Sequence, residues 1–167
     1  VFTSGATEAN NLALLGLAGK PPGEVLISAI EHLSVLMAAK QLMDRGFSVQ
    51  PIPVTADGVV RLDALLDLLS ARTRLVSVML GNNETGVMQP VDEIAAICRS
   101  RRILVHTDAV QAVGKIPVDF TQLGVDALSL TAHKFDGPCG IGALLVRAGV
   151  PLSTILFGGF QQLGERP

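Results

Sequence analysis

The residue of this chain best suited to covalent chemistry is Lys134, which follows the apolar run Asp126 to Leu130 and precedes the glycine-rich stretch Gly137 to Gly142. A lysine closing a buried strand loses hydration, at a cost of several kcal/mol unless the amine has a task. Desolvation of that kind favours the neutral amine, the form that condenses with an aldehyde as a Schiff-base lysine does. Upstream, Val105-His106-Thr107-Asp108 ends a second apolar run on a carboxylate. An acid so situated can hold a proton on the nitrogen of a heterocycle.

Both residues have to be positioned by strands, and the hydropathy pattern supplies them. Apolar runs at Val1–Thr3, Glu24–Ser28, Ser48–Val54, Leu75–Leu80, Ile103–Thr107, Val125–Leu130 and Ile141–Val146 predict strands. Between them, Thr7–Leu17, His32–Arg45, Arg61–Leu69 and Val91–Arg101 carry helical periodicity, with Gly46 closing the second. Such alternation predicts an α/β fold, a three-layer α/β/α sandwich with a mainly parallel sheet covered on both faces. No internal repeat or low-complexity segment interrupts it.

With 49% hydrophobic and 17% charged residues and a net charge of −2, the chain is neither disordered nor basic. It has no Lys/Arg cluster or aromatic platform, which argues against nucleic-acid binding. Its apolar runs fall short of the ~18 residues of a membrane span, and no signal peptide is visible. Two cysteines, Cys98 and Cys139, cannot build a disulfide framework, so a reducing cytoplasm is expected.

Ligands of open α/β sheets bind beyond the carboxyl ends of the strands, and polar clusters gather there. Ser4-Gly5-Ala6-Thr7 opens a helix, where free N–H groups favour a phosphate. Glu31-His32 and Gly81-Asn82-Asn83-Glu84-Thr85-Gly86 follow two strands; Asp108 with Gln111, and Thr131-Ala132-His133-Lys134, follow two more. An aldehyde-capturing lysine and a ring-nitrogen acid are the polar anchors of a pyridoxal phosphate site. Each cluster alone has a plainer reading. Asp108 would serve as a helix N-cap, His32 as a helix-start residue and Asn82-Asn83 as a turn. His106-x-Asp108 lacks further ligands at suitable spacing for a metal, and Glu8 and Asn10 read as helix-end structure. Gly137-x-x-Gly140-x-Gly142 precedes a strand and is no dinucleotide fingerprint.

Taken together, the segments Phe2–Asn11, Glu31-His32, Asn82–Gly86, His106–Lys115 and Ala132–Pro138 resemble the cysteine desulfurases of the class V aminotransferase family, fold type I of the pyridoxal phosphate enzymes. Asn-Asn-Glu-Thr-Gly suits the NifS/IscS-like branch. The resemblance implies that Lys134 carries the cofactor and moves the substrate α-proton. It implies Asp108 on the pyridinium nitrogen, Gln111 on the phenolate oxygen and His32 over the ring face with a part in proton transfer. Asn83 would reach the ring oxygen or the substrate carboxylate; Ala6, Thr7, Thr131 and His133 would hold the phosphate.

The same resemblance makes residues 1–167 part of a large domain truncated at both ends, without its N-terminal segment or small C-terminal domain. The arginine for the substrate carboxylate and the persulfide cysteine would lie outside it, and the fragment alone would be inactive. Cys139 stands where the family usually has lysine, and Phe160 where it has glycine. The implied parent is a homodimer that converts L-cysteine to L-alanine and an enzyme persulfide. It would pass sulfur to an acceptor or iron–sulfur scaffold protein, for cluster biogenesis or tRNA thiolation. A selenocysteine lyase-like enzyme of the same family, or a scaffold domain without catalysis, is the alternative.

Overall fold

The structure, a computed structural model, describes residues 1–167. Its strands are β1 (Phe2–Thr3), β2 (Glu24–Ser28), β3 (Ser48–Ile52), β4 (Thr73–Ser77), β5 (Leu104–Asp108), β6 (Ala127–Thr131) and β7 (Gly142–Val146). Its helices are α1 (Ala6–Leu17), α2 (Leu33–Asp44), α3 (Leu62–Leu68), α4 (Val91–Ser100) and the single turn α5 (Phe120–Leu123). The strands form one seven-stranded sheet in the order β1-β7-β6-β5-β4-β2-β3. Pairings from β6 through β3 are all parallel, whereas β7 is antiparallel to both β6 and β1. Only β7 runs against the rest, so six strands deliver their carboxyl ends to one edge.

Alternating side chains divide the core into two layers. Val25 and Ile27 of β2, Leu75 of β4 and Ala127 of β6 pack with Leu12, Leu14 and Leu17 of α1 and with Val35 and Leu42 of α2. Their neighbours Leu26, Val76 and Leu128 turn the other way, onto Leu65 of α3 and Ile94 and Cys98 of α4. The expected three-layer α/β/α sandwich with a mainly parallel sheet is what forms. Strands buried on both faces read as continuous apolar runs, which is why β2 matches its sequence limits while the amphipathic ends of others shift by a residue or two.

The main departure is at β4, expected to run to Leu80 but ending at Ser77. Val78 and Leu80 still donate to His106 O and Asp108 O on the β5 side. On the β2 side, however, the Met79 N–H donates to the Glu31 carboxylate at 2.8 Å rather than to a strand carbonyl. A side chain has taken over the ladder, and the strand opens into the Asn82 loop. His32 likewise is not the first residue of α2 but its N-cap, its ring accepting from Ser34 N–H. No helix is long and apolar enough to cross a membrane.

Candidate active site

The carboxyl edge holds a cavity of about 610 Å³, within the range of small-molecule sites. All nine residues singled out by sequence line it: Ala6 and Thr7 after β1, His32 after β2, Asn83 after β4, Asp108 and Gln111 at β5, and Thr131, His133 and Lys134 at β6. The first turn of α1 supplies the Ala6 and Thr7 N–H groups, which have no acceptor within the helix. Across from them Thr131 Oγ1 donates to Ile141 O at 3.0 Å and lies 3.1 Å from His133 Nδ1. This wall is held tight by Gly142, where an added Cβ would come within 2.6 Å of the Gly5 backbone. Gly142→Ala therefore drives β7 away from the turn before α1; a loss of about 1–3 kcal/mol in unfolding free energy is expected in denaturant melts.

Asp108 forms the floor. It is buried, and burial pushes its carboxyl up, while the Val110 N–H and the Asn10 amide favour the anion. Val110 N donates to Oδ1 at 3.0 Å and Asn10 Nδ2 to Oδ2 at 2.7 Å. Asn10 is thus not helix-end structure as its sequence position implied. It sits fully buried inside α1 as the partner of the site's acid. Glu8 does behave as end structure, accepting from Ser4 N and Oγ and pairing with Arg166. These bonds overcome its partial burial and hold its carboxyl down to about 2. Gln111 accepts from Lys115 Nζ at 2.6 Å, which leaves its amide N–H groups free.

Asn82 and Asn83 divide two tasks. Asn82 Oδ1 accepts from the Glu84 and Thr85 N–H groups at 2.9 Å, closing the turn, and its Nδ2 donates to Ile30 O. Asn83 is left exposed on the cavity. Next to His32 in sequence, Glu31 is buried, with Oε1 accepting from Ser28 Oγ and Met79 N and Oε2 unpartnered. Burial pushes its carboxyl up to about 8, opposed by those hydrogen bonds and aided by the charge of Asp108.

Lys134 corrects the reasoning that found it. The lysine is exposed, in a short 3-10 turn after β6, so it reaches the cavity from the rim and not from a buried strand end. His106 is fully buried, with its ring nitrogens 2.9 Å from Ser77 Oγ and Ser129 Oγ, and burial pulls it down to about 3. It is a neutral tie across β4, β5 and β6 rather than half of a metal pair. Cys98 is buried core, its thiol pushed up to about 12 by burial. Cys139 is exposed and lines the cavity. Sequence reasoning passed over Ser34 and Met79, which also line the cavity.

A carboxylate under the floor, free helix-start amides on one wall and a lysine on the rim of a parallel sheet define a class of protein: the chain belongs to the aminotransferase class-V family, whose profile matches residues 1–163. More narrowly, its relatives are named cysteine desulfurases. It is 47% identical to the mitochondrial cysteine desulfurase of Drosophila melanogaster over 99% of this chain and 37% of that protein. It is 41% identical to cysteine desulfurase IscS of Clostridium botulinum over 99% of this chain and 42% of that one. Among solved structures, a NifS-like protein superposes with a TM-score of 0.95 at 42% identity, over all of this chain and 47% of its own. SspA in complex with cysteine gives 0.94 at 38% identity, over 99% and 49%. The chain spans about two fifths of the length of the two curated relatives.

Proposed function

We propose that residues 1–167 form the cofactor-binding part of the large domain of a pyridoxal phosphate-dependent cysteine desulfurase. The observation that carries this reading is the convergence of Lys134, Asp108 and the α1 amides on one cavity. The residues fit the cofactor: the buried acid suits a ring nitrogen, the unclaimed Ala6 and Thr7 amides suit a phosphate, and the cavity volume suits a compact ligand. When bound, pyridoxal phosphate supplies an aldehyde and an electron-withdrawing ring that takes up the electron pair released at the substrate's α-carbon.

The chain's own residues then have definite tasks. Lys134 would hold the cofactor through its Nζ, and the same amine would move the substrate α-proton. Asp108 keeps a proton on the ring nitrogen, a task its Val110 and Asn10 donors serve by favouring the anion. Gln111 donates from its free amide to the ring oxygen, Asn83 reaches that oxygen or the substrate carboxylate, and His32 covers the ring face. Ala6, Thr7, Thr131 and His133 would hold the phosphate.

The substrate in this reading is L-cysteine, with alanine as product and the sulfur carried as a persulfide by a cysteine beyond these residues. An acceptor or iron–sulfur scaffold protein receives it. The partner in a homodimer would cover the apolar side chains of Phe157, Phe160 and Leu163, each at least 87% exposed, and a reducing compartment such as the cytoplasm accords with two unpaired cysteines. Addition of pyridoxal phosphate to the full-length protein is expected to give a visible absorbance band, and borohydride to fix the label on Lys134 in peptide maps. A label on any other lysine, or no band in folded protein, sinks the proposal. Sulfide release from cysteine but not selenide from selenocysteine alone separates it from a selenocysteine lyase.

A further inference from the structure

A chain of hydrogen bonds joins the acid under the site to the imidazole above it. Asn10 Nδ2 donates to Asp108 Oδ2 at 2.7 Å and to Ser34 Oγ at 2.8 Å. Asn10 is fully buried, and turning its amide over would set oxygen against the Asp108 carboxylate, so the nitrogen faces the acid. Both amide protons are thereby committed. Ser34 Oγ accepts from Asn10, and its own single proton has His32 Nδ1 as its partner at 2.8 Å. The Ser34 backbone N–H donates to the same ring nitrogen at 3.1 Å, as the N-cap of α2. A ring nitrogen accepting from two donors carries no proton.

We propose that Asn10 and Ser34 are positioning residues that carry the polarity of Asp108 to His32, fixing the neutral imidazole with its proton on Nε2. Nδ1 is turned inward to Ser34, which leaves Nε2–H as the edge His32 offers to the cavity it lines. In this form His32 donates a hydrogen bond to a ligand atom. It cannot take a proton at Nδ1 without breaking both bonds from Ser34. The residue over the ring face thus starts as a donor, and the group under the ring decides that it does. The catalytic meaning rests on the pyridoxal phosphate reading above, whereas the tautomer itself does not.

Long-range proton–nitrogen NMR of the full-length protein without cofactor measures it, with the His32 signals identified by their loss in His32→Gln. Neutral His32 is expected to bear its proton on Nε2 and none on Nδ1. Ser34→Ala and Asn10→Ala each remove one link and are expected to shift the tautomer ratio about fivefold toward Nδ1–H, the worth of one ordinary hydrogen bond. Ser34→Thr, which restores the hydroxyl, returns the ratio. A merely structural role would lower the melting temperature of the variants and leave the ratio unmoved. A proton on Nδ1 in the unaltered protein, or an unmoved ratio in folded Ser34→Ala, overturns the proposal. Should Asn10→Ala fail to fold, Ser34→Ala decides alone, since its backbone cap remains. Absence of label on Lys134 together with the expected tautomer would remove the cofactor reading and keep the relay.

Discussion

On the proposed desulfurase reading, Asp108→Asn is expected to lower alanine formation from cysteine by two to three orders of magnitude in the full-length protein, with the fold retained. The side chain keeps its shape, so packing against α1 is undisturbed. What changes is charge and one hydrogen bond. The carboxylate accepts from Val110 N–H on one oxygen and from the Asn10 amide on the other. An asparagine can satisfy only one of these and turns its own NH₂ against the second donor. More important, an amide cannot hold a proton on a ring nitrogen, and a preorganised charge in a buried site is worth about 3–4 kcal/mol to a reaction that develops charge beside it. Burial already pushes this carboxyl up, so the loss of charge costs the fold little while costing the chemistry most of its rate. The measurements are turnover and melting temperature side by side. A variant within threefold of normal turnover would remove Asp108 from the reaction.

The layers of the fold were legible because a strand buried on both faces leaves a short apolar run, such as Val25-Leu26-Ile27 in β2 and Ile103-Leu104-Val105 leading into β5. The direction of β7 was not, since Gly142–Val146 is as apolar as the strands that run the other way and nothing in composition distinguishes the two directions. Nor was the early end of β4, which depends on Glu31, a residue distant in sequence, reaching the Met79 N–H.

The site was legible where polar residues follow apolar runs, because the carboxyl edge of a parallel sheet collects them whatever their order in the chain. It was illegible where the polar residue lies inside a helix. Asn10 shares a face with Leu14 and Leu17 of α1, at helical spacing, and an asparagine in a buried stripe demands a partner. That signal was present, but the identity of the partner required the sheet. Lys134 shows the reverse error: it does line the cavity, but it is exposed, so burial is not what puts it there. The short turn after β6 carries the lysine out of the strand, so access to the cavity and not desolvation by the protein is what the sequence had encoded.

Glu31→Gln is expected to flatten a loss of stability that the unaltered protein shows between about pH 6.5 and 8. Burial raises the Glu31 carboxyl to about 8, so over the interval from the ordinary carboxylate range to that value the folded state keeps a proton the unfolded state has released. Folding then takes up a proton, and stability falls as pH rises. At about 1.4 kcal/mol per pH unit the accumulated loss approaches on the order of 4 kcal/mol by pH 8, beyond which both states are ionised and the slope ends. His106 acts oppositely: burial lowers it to about 3, so the unfolded state protonates first and stability falls as pH drops below the ordinary histidine range. The two slopes cancel in mild acid and leave the decline above it to Glu31, with Asp108 adding in the same sense. Glutamine preserves the acceptor for Ser28 Oγ and Met79 N–H, and its NH₂ occupies the place of an oxygen that already lacked a partner. Thermal melts at constant ionic strength should therefore show the variant higher by roughly 10 °C at pH 8 and little changed near pH 5. Because the Met79 bond that ties the His32 and Asn83 loops together survives, Lys134 should take up pyridoxal phosphate as before. Equal melting of both proteins at pH 8 would mean that Glu31 is ionised in the fold, and that Asp108 then shares the floor of the site with a second charge.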